Sequence, residues 1–284
     1  MGEKSMEKRS HFLWKIKHLL EDIDEDTLAY EEKEFWMVQS PYEYVEYYSY
    51  EHQLQNTAIA LPLARGLHNG DHRKSTMMKD GVTYRLPYLI HPLRVCRMLM
   101  DLQVPVSREE EDILLAAALC HDMIEDIPFL EHGKELVIQY HLDPRVYTTV
   151  KKVSKRRDFT EQEEKDFFHQ IEEDKLAMLI KLSDRGNNVE DLYNMSVWKV
   201  HEYVDETKRF FIPMCEYGKI HYPELHACIA ILQDKIVCLT EAAEILVDRY
   251  DLREQELKAQ VESLRKENES LRTSWKRMWK GEDD

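Results

Sequence analysis

The segment His121-Asp122-Met123-Ile124-Glu125-Asp126 gathers one imidazole and three carboxylates into adjacent turns. It follows the apolar run Leu114-Leu115-Ala116-Ala117-Ala118-Leu119, and the pattern predicts a helix over 108–126. On a helix, residues four apart share a face, so His121 lies above Glu125 and Asp122 above Asp126. Such a cluster is costly to bury without a cation, and a divalent metal resolves that cost. Two carboxylates then remain to handle protons or orient water. The segment alone is also compatible with a solvent-exposed acidic helix end. Two further segments bear on the choice. Ile90-His91-Pro92-Leu93 places a His at a helix start, with Pro in the first turn. Leu179-Ile180-Lys181-Leu182-Ser183-Asp184-Arg185 places an Asp at the end of a very apolar helix. A helix-start His is usually structural, and a helix-end Asp is usually a cap or ion-pair partner.

The elements that must position these residues are helical. Gly and Pro are scarce, at 8 and 9 among 284 residues, and strand alternation is nearly absent. The pattern predicts helices at 57–67, 91–102, 108–126, 131–140, 144–154, 161–173, 174–183, 189–193, 198–216 and 223–250, an all-α fold. Asp80-Gly81 before Val82-Thr83-Tyr84 predicts a turn or short β-hairpin. Residues 1–50 read as an N-terminal helical extension, with a stripe from Phe12 to Ile23 and a tyrosine-rich run, Tyr42 to Tyr50. That run suits a surface helix packed on the main domain better than a base-stacking platform. Residues 51–250 form the main domain. In 251–284, Leu257, Val261, Leu264, Asn268, Leu271, Trp275 and Met278 alternate by four and three, a heptad seam with Asn268 at an a position. Glu267 and Arg272 flank it at g and e. The seam predicts a parallel homodimer through residues 257–278.

Bulk composition narrows the partners. The formal net charge is −16, which disfavours non-specific binding to nucleic acid or to an anionic membrane. An anionic substrate would therefore need a local basic pocket. Five cysteines without a C-x-x-C pair predict buried, reduced thiols and a cytoplasmic setting. The N-terminus offers no secretory signal, and no window approaches the roughly 18 apolar residues of a membrane span.

The order H…HD…D resembles the HD phosphohydrolase superfamily, and the surrounding text is similar to the hydrolase domain of RelA/SpoT homologues. Four segments carry the resemblance: His68 to Ser75 (HNGDHRKS), Pro87 to Val95 (PYLIHPLRV), Ala116 to Asp126 (AAALCHDMIED) and Leu179 to Asn188 (LIKLSDRGNN). The resemblance implies an HD-domain helical bundle. It implies a metal held by His91, His121, Asp122 and Asp184, usually manganese, with Glu125 and Asp126 as the catalytic acids. It further implies that Arg73, Lys74 and Ser75 form a loop gripping a guanosine nucleotide, with Asn188 close by. Lys181 and Arg185 could neutralise phosphate charge beside them. The implied reaction is hydrolysis of the 3′-pyrophosphate of (p)ppGpp to GDP or GTP and pyrophosphate.

The chain departs from the family pattern at four places. Asp71 replaces a usual Gln, and Thr76 to Leu86 lengthens the segment before Pro87-Tyr88. Asn187 replaces His or an aromatic residue, and Glu190 stands where Arg is usual, a charge reversal beside the expected site. These departures keep two other readings open: an HD-type phosphohydrolase acting on NADPH or a dNTP, and a nucleotide-sensing coiled-coil dimer without turnover. The length after residue 250 leaves no room for a synthetase domain, so no synthesis is expected.

Overall fold

The computed structural model describes residues 35–68, 70–124, 138–156 and 158–280. The expectations for Phe12 to Ile23, for Glu125 and Asp126, and for the helix over 131–137 lie outside these residues, as does the side chain of Met278. Among the described residues the order is α1 (Gln39–Glu51), α2 (Gln55–Leu67), β1 (His72–Lys79), β2 (Val82–Pro87), α3 (Ile90–Asp101), α4 (Arg108–Cys120), α5 (Pro144–Val153), α6 (Glu161–Glu172), α7 (Lys175–Glu190), α8 (Val197–Glu206), α9 (Ile212–His221) and α10 (His226–Lys280). The fold is an all-α bundle with one hairpin.

Helix starts follow local chemistry. Ser107 and Glu110 make a reciprocal capping box for α4, and Thr160 with Glu163 does the same for α6. Asp143 caps α5 with Pro144 in its first turn, and Asp174 accepts from Leu176 N and Ala177 N at the start of α7. Helix α4 is the centre of the core. Ile113 to Cys120 are all buried, and α4 packs on α2, α3, α5 and α7. Helix α7 is the other buried spine, set among α3, α4, α5, α6 and α10. Helix α1 joins the same core through Val38, Tyr42 and Val45. Its Tyr48 donates to Glu111 Oε1 at 2.6 Å on α4, whereas Tyr44 and Tyr47 are exposed.

Strands β1 and β2 are antiparallel, with Lys79 opposite Val82 across Asp80-Gly81. Both turn residues have positive φ, 51° and 77°, the conformation that an Asp-Gly hairpin turn requires. Arg73, Lys74 and Ser75 therefore sit in a strand, not in the expected loop.

Three helix boundaries differ from the sequence expectation. Helix α4 ends at Cys120, and His121 is its C-cap, so the His121-Asp122 pair lies in a turn past the helix end. The two helices expected at 174–183 and 189–193 are one continuous helix, α7, followed by a 3₁₀ turn at Leu192–Asn194. Asp184 is thus in mid-helix. The helix expected over 198–216 is interrupted by a π turn at Thr207–Phe211. Pro213 has no N–H to give the Arg209 carbonyl, which breaks the α-helical ladder there. Helix α10 runs unbroken from the core into the heptad segment.

Candidate metal centre

Four side chains converge where α3, the end of α4 and the middle of α7 meet. His91 Nε2 lies 3.2 Å from His121 Nε2, 3.2 Å from Asp122 Oδ2 and 3.1 Å from Asp184 Oδ1. His121 Nε2 lies 3.1 Å from Asp122 Oδ1. All four residues are buried. The sequence-predicted ligands are therefore together, though they come from two helices and one turn.

Each ring is oriented from behind. His121 Nδ1 donates to the Ala118 carbonyl at 2.8 Å. His91 Nδ1 is 2.7 Å from Asn187 Oδ1. Both Nε2 atoms thus face the centre. Two nitrogen lone pairs at 3.2 Å with two carboxylates around them need a cation or protons between them. Burial alone would lower both imidazoles. Hydrogen bonds to Asp122 and Asp184 more than offset that for His91, raising it to about 9, and the Asp122 charge with Asp184 raises His121. Burial opposes ionisation of the two carboxyls as well. His121 and His91 nevertheless hold Asp122 below the usual carboxylate range, and Lys181 with both imidazoles does so for Asp184. His91, His121 and Asp184 offer ligand atoms all within 4.8 Å of one another. This donor set of imidazole nitrogen and carboxylate oxygen fits a hard to borderline divalent ion.

Three residues of the centre, His91, Asp122 and Asp184, line a cleft of about 460 Å³. Arg73, Lys74 and Ser75 of β1 line one wall. Arg73 Nη2 donates to Asp191 Oδ2 at 2.9 Å and to Asn188 Oδ1 at 3.2 Å. Asn188 Nδ2 in turn donates to Asp184 Oδ1 at 2.6 Å. Lys181 Nζ is 3.4 Å from Asp184 Oδ2. Arg185 is buried, pairs with Glu206, and lies 3.9 Å over the Phe211 ring. Its Nη1 and Asn194 Nδ2 are buried donors with no partner among the described residues. Both belong to residues lining the cleft, where a substrate oxygen could take them.

Several cleft residues were not expected from sequence. Tyr88 donates its hydroxyl to Asp122 Oδ2 at 2.7 Å. It lies within the motif Pro87 to Val95, three residues before His91, which was its only signal. Lys199, Tyr203 and Glu206 arrive from α8, Lys155 from beyond the end of α5 and Asp191 from the end of α7, and none carries a local signature. Glu190 does not line this cleft, and its charge is turned to Lys235 Nζ at 2.5 Å.

The sequence pattern of the HD domain matches residues 88–189, the stretch that contains all four converging side chains. The chain's relatives include the guanosine-3′,5′-bis(diphosphate) 3′-pyrophosphohydrolase of Vibrio cholerae, 28% identical over 182 residues, covering 61% of this chain and 23% of that protein. The bifunctional (p)ppGpp synthase/hydrolase SpoT of Escherichia coli is 27% identical over 192 residues, covering 66% of this chain and 25% of that one. The chain spans about a quarter of the length of these curated relatives. Among the described residues, no helix is long and apolar enough to cross a membrane. Cys96, Cys120, Cys215 and Cys228 are buried free thiols, whereas Cys238 is exposed.

Proposed function

We propose that this chain is a manganese-dependent hydrolase that removes the 3′-pyrophosphate of (p)ppGpp. One observation carries the reading: His91, Asp122 and Asp184 of the buried His-His-Asp-Asp group line a cleft with six basic side chains, Arg73, Lys74, Lys155, Lys181, Arg185 and Lys199, beside the carboxylates of Asp191, Glu202 and Glu206, within a chain of net charge −16. With a divalent ion held there, the cleft would become the local positive pocket an anionic nucleotide requires.

His91, His121, Asp122 and Asp184 would hold the metal. When bound, manganese lowers the pKa of water and polarises a phosphoryl oxygen. The chain's own groups do the rest. Arg73, held flat by Asp191 and Asn188, presents a fixed guanidinium to the nucleotide. Arg185 Nη1 and Asn194 Nδ2 stand ready for oxygen acceptors. Glu125 and Asp126 are assigned the proton work: one takes a proton from the attacking water, and one delivers a proton to the leaving 3′ oxygen. Water forms the new P–O bond at the phosphorus attached to O3′, the O3′–P bond breaks, and pyrophosphate leaves.

The deciding experiment supplies the full chain with manganese and, in parallel, ppGpp, NADPH and dNTPs. Pyrophosphate release from ppGpp is expected. Release from NADPH or dNTPs alone would assign a different nucleotide to the same centre, and no turnover with bound nucleotide would assign a sensor. Metal analysis of wild type against Asp122→Ala tests the centre itself. Equal metal content in the two would remove the basis of the enzyme reading.

The heptad segment of α10 supports a parallel homodimer through residues 257–278. From Leu252 onward the described side chains are exposed along roughly 40 Å of helix, including Leu257, Val261, Leu264, Leu271 and Trp275. Leu257, Leu264 and Leu271 at d, with Val261, Asn268 and Trp275 at a, support two parallel strands, and Glu267 can reach Arg272 of a second copy. Light scattering before and after truncation near residue 250 tests this. An unchanged monomeric mass would exclude the seam as the assembler.

A further inference from the structure

Asn187 and Glu190, two departures from the family pattern, touch one another. Asn187 is 1% exposed. Its Nδ2 donates to Glu190 Oε2 at 2.9 Å, and its Oδ1 lies 2.7 Å from His91 Nδ1. The second oxygen of Glu190, Oε1, accepts from Lys235 Nζ of α10 at 2.5 Å.

The direction of this chain of contacts follows from donor chemistry. A carboxylate only accepts, so the Asn187 amino group must face Glu190 and its carbonyl must face His91. A carbonyl also only accepts, so His91 carries a proton on Nδ1. In the neutral ring, Nε2 is then the lone-pair nitrogen, and Nε2 is the atom facing His121 and Asp184. Remove Glu190 and no described contact selects between the two amide orientations. The flipped amide presents its amino group to Nδ1, which favours the proton on Nε2, where a ligand lone pair is needed. His121 differs, because its Nδ1 is fixed by a backbone carbonyl that no substitution removes.

We propose that Asn187, Glu190 and Lys235 form a positioning relay that fixes the tautomer and ring orientation of His91 from helix α10. Metal affinity in this chain then depends on three side chains that touch neither metal nor substrate. The inference rests on the reading of His91 as a metal ligand. It also gives Glu190 a role: the reversed charge is taken up by Lys235, and its second oxygen orients an amide.

Manganese titration of the full chain, followed by the signal of free manganese, tests the relay. Asn187→Ala and Glu190→Ala are expected to lose about 10–100-fold in metal affinity, the usual effect of deleting an outer partner of a metal ligand. Glu190→Gln is expected to lose metal affinity as well, because Lys235 takes the one amide oxygen and leaves an amino group facing Asn187, which favours the flipped amide. A purely structural role would lower the unfolding temperature of the alanine variants and leave the isosteric Glu190→Gln at wild-type metal affinity. Wild-type affinity in both alanine variants overturns the relay. Should an alanine variant fail to fold, nitrogen-15 spectra of the histidines in the zinc-loaded wild type decide. A slowly exchanging proton on His91 Nδ1 supports the relay, and a proton on Nε2 overturns it. A wild-type chain that binds no manganese or zinc overturns the metal-centre reading together with the relay. Tight wild-type binding with unaffected variants overturns the relay alone.

Discussion

At Asp122 two demands meet. One oxygen faces His91 and accepts the Tyr88 hydroxyl, while the other faces His121. Tyr88 thus holds the carboxylate in place. Tyr88→Phe keeps the ring contacts with His68 and His91 but loses that bond. Manganese affinity should fall roughly tenfold, as expected for an outer partner, with little change in unfolding midpoint; titration beside a thermal melt checks both. Glu206 gives a second residue-scale prediction. Burial opposes its charge, yet Arg185 and Lys155 bring it down to about 2. An unfolded Glu titrates near ~4.3. Its folded pKa is depressed, so its stabilisation is complete above the unfolded value and is lost as pH falls toward about 2. Wild type should therefore lose its stability advantage over Glu206→Gln across that window, measured by urea unfolding at several acidic pH values. The four converging side chains, His91, His121, Asp122 and Asp184, were legible because each sits in a contiguous motif. Tyr88 hid inside one of those motifs, and Lys155, Asp191 and Glu206 reach the cleft only through tertiary packing.

At the scale of elements, buried Asp112 joins α4 to the start of α2. It accepts from Asn56 N and Thr57 N at 2.9 and 2.8 Å, and from the Asn56 and Thr57 side chains. Asp112→Ala strands these donors at a helix N-terminus, where they have no intrahelical partner. A loss of about 3 kcal/mol is expected, since each buried unsatisfied group costs about 1–3 kcal/mol. Calorimetry should show a midpoint lower by roughly 6–12 °C. Close packing sets a second test. A Cβ at Gly218 would come within 2.7 Å of Met178 and 2.8 Å of Ile229. Gly218→Ala should cost about 1–3 kcal/mol by overpacking the seam between α9, α7 and α10. Most helices were legible from caps and prolines, and the hairpin from Asp80-Gly81. Helix α7 was not, because Ser183-Asp184-Arg185-Gly186-Asn187 reads as a polar boundary. Those side chains are buried, with Asp184 and Arg185 at the cleft, Asn187 behind His91 and Gly186 against Met98 and Ile236. The polarity marks a site within a helix, not its end.

For the whole molecule, a cation-walled cleft in a chain of net charge −16 should make substrate capture sensitive to salt. The acidic exterior repels an anionic nucleotide over a Debye length, while the cleft attracts it at short range. Raising ionic strength screens both, and the exposed exterior more than the buried wall. The KM for ppGpp should therefore rise less with salt than for a uniformly basic surface, as initial rates at several salt concentrations would show. The all-α class was legible from composition, but the balance of these two fields was not, because it depends on which lysines and arginines converge. Helix α10 adds its own consequence. Trp275 is 60% exposed on the seam, and its indole stacks on Trp279 at 5.5 Å. Pairing of two chains at that position would take both copies of the Trp275 indole out of water. Its fluorescence should then shift to the blue as protein concentration rises through the association midpoint, which would make this indole an optical gauge of the proposed dimer.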